Sequence, residues 1–261
     1  MKKFLFVCGC PRSGTTVLTQ LLNWHSGIAI GIERFALLLQ KNQGQFHPDL
    51  YSLDRFFSFH KDDCFYDSFN FTAYTDWYCK KISEDKYSQS IYVGDKIPKL
   101  YKYFDVLRNN FNDIPVKIIF IARDVAGVAS SYDARAKNPK DNWRSEDGFK
   151  KGILEWNEAI HMMYKEFNNN DRGNEIIVVN YETFFTNYNL GKQKLELLFQ
   201  ALELPVEQNI YKGYSLLEKQ FNDIVQRKPN KQDESNEDIY NNMINSQANL
   251  QEFKLIMSKA I

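Results

Sequence analysis

From Phe6 to Thr16 the chain reads FVCGCPRSGTT. Gly9, four residues, Gly14 and a pair of threonines follow the spacing of the Walker A phosphate loop, G-x-x-x-x-G-K-[ST], with Thr15 standing where that loop has its lysine. After a strand and before a helix, successive backbone N–H groups converge on one point and the helix N-terminus adds partial positive charge, so an anion belongs there. Gly9 and Gly14 let the backbone come close, Arg12 offers a forked cation, and Ser13, Thr15 and Thr16 offer hydroxyl donors. The plainer alternative is a glycine turn that does no more than start a helix.

The flanking pattern supplies the elements such a loop needs. Phe4 to Cys8 is a short apolar run, and Val17, Leu18, Leu21 and Leu22 give the following segment a helical apolar face. Ile28 to Ile32 reads as a second strand, followed by a helical stretch from Arg34 to Gln40. KIIFIA, Lys117 to Ala122, shows no alternation and is expected to be buried on both faces; EIIVVNY, Glu175 to Tyr181, is a fourth strand. Strands separated by helical segments predict an α/β fold: a three-layer, mainly parallel sheet with helices on both faces and ligands at the carboxyl ends of the strands. Residues 1–261 are read as a single domain. Residues 46–90 are an inserted helical segment, whose aromatic residues between Phe46 and Tyr78 either wall an acceptor pocket or form ordinary core. Residues 227–238 are a mobile loop before a last helix from Ile239 to Lys259.

Composition narrows the partners. Lys plus Arg and Asp plus Glu both number 33, which argues against a surface built to neutralise nucleic acid or an anionic membrane and confines any anion site to a local feature. Cys8, Cys10, Cys64 and Cys79 have no zinc or disulfide spacing and read as reduced, mostly buried thiols. The opening MKKFLFVCGCP imitates a lipoprotein signal, but its apolar run is shorter than the roughly 7–15 residues of such a region. No run approaches the roughly 18 apolar residues of a membrane span. The expectation is a soluble, cytoplasmic protein; its oligomeric state is not readable.

CPRSGTT after a strand resembles the 5′-phosphosulfate loop of sulfotransferases that use 3′-phosphoadenosine 5′-phosphosulfate (PAPS). In that family an Arg or Lys after the proline, here Arg12 after Pro11, takes the cationic role. The family reads the 3′-phosphate with an Arg at a strand end and a Ser eight residues on, and IARDVAGVASSY places Arg123 and Ser131 there. A plainer role for Arg123 is an ion pair with Asp124. Glu33, in GIERF, has the offset of the catalytic glutamate of the tyrosylprotein branch; the resemblance makes it the base, and the alternative is a carboxylate favoured in a first helical turn. VGDKIPKLY resembles the family's Asp-Lys-x-Pro segment and implies Lys96, brought from another strand, as a second cation, with Lys99 in its place if the register slips and Pro98 starting a helix. His25 reads as helix-end packing before it reads as catalytic. Arg227 and Lys228 are candidates for a loop closing over the nucleotide. The resemblance implies a P-loop-like fold, PAPS as co-substrate, adenosine 3′,5′-bisphosphate (PAP) as product, no metal, and a hydroxyl acceptor on a small molecule. Competing readings are an ATP-dependent P-loop kinase, which needs a lysine at Thr15, and a nucleotide-binding module without catalysis.

Overall fold

Strand β1 (Lys3–Cys8) runs through the middle of the molecule and is buried from Phe4 onward. Its side chains alternate: Phe4, Phe6 and Cys8 enter one core, Leu5 and Val7 the other. The same division recurs in β4 (Val116–Ala122), where Ile118, Phe120 and Ala122 face the first core and Ile119 and Ile121 the second. A central strand with apolar residues on both faces must be covered twice, which is why the sequence shows no period-two pattern there. With β2 (Ile28–Ile32), β3 (Tyr92–Lys96) and β5 (Ile176–Asn180) these strands form one parallel five-stranded sheet in the order β2-β3-β1-β4-β5. The computed structural model describes residues 2–64, 81–112, 114–141, 143–168, 176–227 and 234–261.

Register places the strand ends together. Val7 pairs with Lys96, Ile32 with Lys96, Cys8 with Phe120 and Ala122 with Asn180. Because every pairing is parallel, the segments that follow β1, β2, β3 and β4 leave the sheet on one edge. The helices that position the site are α1 (Thr15–Leu22), α2 (Ala36–Lys41), α3 (Leu53–Phe57), α4 (Glu84–Gln89), α5 (Phe104–Asn110), α6 (Val125–Ala136) and α7 (Phe149–Asn168). Behind them come α8 (Tyr181–Phe185), α9 (Tyr188–Ala201), α10 (Gln208–Arg227), α11 (Glu234–Gln247) and α12 (Leu250–Met257).

Several expected boundaries move. The strand Tyr92–Lys96 joins the four read from the sequence. Helix α2 begins at Ala36 instead of Arg34, because the Arg34 and Phe35 N–H groups bond to the Asp95 carboxylate of β3. Helix α11 begins at Glu234, inside the stretch expected to be a loop, of which residues 228–233 lie outside the described part. The single terminal helix is two, since the Asn249 side chain accepts the Glu252 N–H at 3.3 Å and starts α12 afresh. The aromatic segment also divides. Phe46, Tyr51 and Phe56 are buried, and Tyr51 packs edge-on against Phe4 and Phe6 with ring centroids 5.5 and 5.7 Å apart. These residues are core, with Phe57 and Phe59 packed against it; residues 65–80, with the aromatic residues from Phe65 to Tyr78 and Cys79, lie outside the described part. Among the described residues no helix is long and apolar enough to cross a membrane.

Candidate functional site: a phosphate loop beside a Glu–Lys cavity

The turn after β1 is pressed against its neighbours. A Cβ on Gly9 would run into the Ile121 carbonyl of β4, and Gly14, at φ 91°, stands 2.7 Å (measured to a hypothetical Cβ) from the Tyr181 ring. Only glycine fits both constraints at Gly14. Arg12 also lies in the left-handed region, at φ 74°, which turns its carbonyl and side chain toward β4 and α6. Gly14 occupies the N-cap of α1 and has no side chain to offer, so the first-turn N–H groups lack a side-chain partner. The Ser13 hydroxyl oxygen is buried and unpaired. A buried hydroxyl and a row of uncapped amides form a donor set that fits a phosphate or phosphosulfate group.

The Arg123–Ser131 segment meets the glycine loop. Arg123, directly after β4, donates from Nη1 to the Arg12 carbonyl at 3.0 Å, and Arg12 Nε donates to Ser131 Oγ at 3.0 Å. Arg123 lies 4.3 Å over the Tyr181 ring, and its carbonyl accepts the Trp156 Nε1–H at 2.8 Å. Its own Nε is buried without a partner. Asp124 directs its carboxylate to the Gly127 N–H at 2.6 Å, capping α6, and no ion pair with Arg123 is found. Although the Arg12 side chain reaches solvent, partial desolvation and then Arg135 and Arg123 lower its basicity. Crowded cations next to unpaired donors are what a bound dianion relieves.

Glu182, at the start of α8, accepts the Asp124 N–H at 3.1 Å. Burial first, then the Asp124 carboxyl, push it up to about 7 from an ordinary 4.5. Between those values the folded chain keeps a proton that the unfolded chain has lost, so raising pH through this window favours unfolding. The expected result is a melting temperature that falls from pH 4.5 to pH 7, with a shallower fall for Glu182→Gln; equal slopes by calorimetry would contradict it.

Glu33 follows β2 in a left-handed turn, at φ 57°. Its N–H donates to the Lys96 carbonyl at 2.8 Å, and Lys96 Nζ donates to Glu33 Oε1 at 2.5 Å. Lys96 is 2% exposed and the Glu33 side chain 31%, so the carboxylate reaches open space while the ammonium is held behind it. That space is a cavity of about 540 Å³. Arg12, Thr15, Thr16, Glu33 and Lys96 are among the residues that line it. Tyr103, Trp143, Lys99 and Lys102 line it as well. Lys99 and Lys102 are tied to Glu155 and Glu158 of α7, each at 2.6 Å, and Trp143 packs edge-on against Tyr132 at 5.0 Å. Sequence reading did not find Tyr103, Trp143 or Arg135, because nothing in their spacing points to the loop they approach.

Of the other candidates, Pro11 borders the cavity and Pro98 opens the 3-10 helix Pro98–Tyr103. No residue of 46–64 borders it, although that stretch had been weighed as an acceptor wall. His25 is buried; its Nδ1 accepts the Gly27 N–H at 2.9 Å, which leaves Nε2 to donate to the Pro205 carbonyl at 2.9 Å, and its ring stacks on Phe199. Both nitrogens are engaged in packing the end of α1. Arg227 ends α10, and Lys228 lies outside the described residues.

A parallel α/β sheet with a glycine turn between β1 and α1, next to the Glu33–Lys96 pair and Arg12, places these side chains at the carboxyl edge of the strands, where open α/β sheets take their ligands. The sulfotransferase family model matches residues 5–208, and the chain belongs to that family. Its fold is similar to that of the sulfotransferase domain from the curacin biosynthetic pathway, at 16% identity and TM-score 0.53, covering 82% of this chain and 78% of that one. The sulfotransferase domain of the Synechococcus PCC 7002 olefin synthase is similar at 15% identity and TM-score 0.51, with the same coverage. No curated protein matches the chain by sequence.

Proposed function

We propose that this protein transfers the sulfuryl group of PAPS to a hydroxyl of a small-molecule acceptor, with an amine as the less favoured nucleophile, and releases PAP. The observation that carries the reading is the contact of Arg12 with both Ser131 and Arg123 beside the Glu33 cavity, which supports assigning the glycine loop to the 5′-phosphosulfate and Arg123 with Ser131 to the 3′-phosphate. In this reading Glu33 Oε takes the acceptor proton as the acceptor oxygen attacks sulfur in line. The bond from sulfur to the 5′-phosphate oxygen breaks, and PAP leaves with that 5′-phosphate as a dianion. Arg12 and Lys96 neutralise charge on the sulfuryl oxygens and on the departing phosphate; the loop amides with Ser13, Thr15 and Thr16 hold that phosphate. These cations and the helix terminus take the part magnesium plays for a kinase, so no metal is required. In this reading the acceptor packs against the Tyr103 and Trp143 rings, with Lys99 and Lys102 on the same cavity. Buried thiols at Cys8, Cys10 and Cys64 support a cytoplasmic setting.

Incubating the protein with sulfur-labelled PAPS and a metabolite extract tests transfer directly; label moving to no acceptor would count against it. Competition separates the donor classes: PAP should displace bound PAPS far better than ATP, and tighter, magnesium-dependent ATP binding would favour the kinase reading. A charge-assisted contact of about 1.5–3 kcal/mol predicts that Arg123→Ala weakens PAP binding about 10- to 150-fold. Adenosine 5′-phosphosulfate, which has no 3′-phosphate, should lose far less. Equal loss for both ligands, by calorimetry, would remove Arg123 from the 3′-phosphate site.

A further inference from the structure

Asp95 precedes Lys96 in β3, is fully buried and does not border the cavity. Its carboxylate accepts the Arg34 N–H at 3.0 Å on one oxygen and the Phe35 N–H at 2.9 Å on the other. The preceding amide, of Glu33, donates to the Lys96 carbonyl. Three successive N–H groups of the turn between β2 and α2 are therefore held by two adjacent residues of the neighbouring strand. The turn needs such a hold, because Glu33 is a non-glycine residue in the left-handed region and such conformations persist only where the surroundings over-determine them.

Arg34 works from the other side. Its buried guanidinium donates to the Phe56 carbonyl at 2.9 Å, the Ser58 carbonyl at 2.8 Å and Asp63 at 2.6 Å, and sits 4.4 Å over the Phe35 ring. With residue 34 anchored inward by its side chain and by its amide, residue 33 is directed outward, where its carboxylate meets Lys96 Nζ. Burial pushes Asp95 up to about 7, against two backbone N–H bonds and Lys96 that pull it down. A side chain this unfavourable to bury, placed where a neutral residue would fill the same volume, points to a task in the turn.

We infer that Asp95 is a positioning residue of the transfer site: its carboxylate clamps the left-handed turn that aims Glu33 at the cavity and at Lys96. The inference rests on Glu33 being the base. Asp95→Asn keeps the size but turns an NH2 group toward one of the two amides, so the clamp is half lost. Small displacements of reacting groups cost up to about 100-fold in rate. The expected kcat is lower by about 10- to 100-fold, with PAP affinity unchanged.

Three readouts decide it. In protein carrying carbon-13 at its glutamate carboxyls, the Glu33 resonance, assigned by its disappearance in Glu33→Gln, shifts in Asp95→Asn. The double variant Glu33→Gln/Asp95→Asn is no slower than Glu33→Gln alone, because Asp95 acts only through Glu33. Calorimetry gives the same PAP dissociation constant for Asp95→Asn and the unaltered protein. An unmoved Glu33 resonance, multiplying losses in the double variant, or PAP binding lost in parallel with rate would each overturn the inference. If the amide variant does not fold, Asp95→Ser, smaller and with one acceptor, is read by the same resonance. Should the unaltered protein transfer to no acceptor while the resonance still shifts, the assigned reaction falls and the clamp stands.

Discussion

Glu33→Gln is expected to lower sulfuryl transfer by about 100- to 10,000-fold, the usual worth of a positioned general base, while leaving PAP binding within about twofold. The amide is isosteric, so it can still receive the Lys96 ammonium through its oxygen and the turn keeps its shape. What disappears is the site that accepts the acceptor proton. In the proposed reaction the donor contacts come from the loop and from Arg123 and not from Glu33, so the loss should fall on kcat and spare the donor. Steady-state kinetics with a labelled donor, together with calorimetry of PAP, separates the two. A variant that keeps full activity would move the base elsewhere in the cavity, and one that loses PAP affinity in the same proportion would make Glu33 a donor-site residue. His25 is a poor substitute, since both of its ring nitrogens are committed to backbone groups.

Gly94→Ala is expected to remove soluble folded protein, by an effect on the sheet alone. Gly94 lies in the middle of β3 against β1, and an added Cβ would fall inside the Leu5 carbonyl. The obstacle is backbone of the central strand, not a side chain that can rotate away, so β1 and β3 must separate or the carbonyl must turn. Overpacking of a rigid site costs about 1–3 kcal/mol and occasionally more, and marginal domains have only about 5–15 kcal/mol in total. Separation would also carry Asp95 and Lys96 away from Glu33, because they continue the same strand. Circular dichroism and a thermal melt check this: a variant with the melting temperature of the unaltered protein would show that β3 can shift without harm, and its activity would then report how much the Lys96 position matters.

Much of the candidate site's local geometry was legible because its information is local. The glycines, Arg12 and the hydroxyls are consecutive residues between a strand and a helix, and backbone geometry alone converts that order into an anion cradle. Arg123 and Ser131 are legible for a related reason: a cap and two helical turns set their separation, whatever packs around them. Strands β1, β2, β4 and β5 declared themselves through apolar runs, whereas β3, with Gly94, Asp95 and Lys96 in its last three positions, did not. Boundaries near the site were less legible. Helix α2 is delayed by a carboxylate that comes from a strand about sixty residues later, and no pattern within Arg34 to Gln40 encodes that partner. The aromatic run between Phe46 and Tyr78 was ambiguous because composition cannot tell a pocket wall from a core; Tyr51 between Phe4 and Phe6 answers it for the first part of the run.

Residue order by itself determined the α/β class, the phosphate loop, and the pairing of a second cation with a serine at helical spacing. Only the tertiary structure decided that Arg12 touches Ser131 and Arg123, that Glu33 is turned left-handed onto Lys96, and that Tyr103 and Trp143 line the cavity these residues share. The physical reason is the parallel sheet: it brings the ends of β1, β2, β3 and β4 to one edge through crossovers of very different length, so neighbours in the site are distant in the chain and no local preference records their meeting.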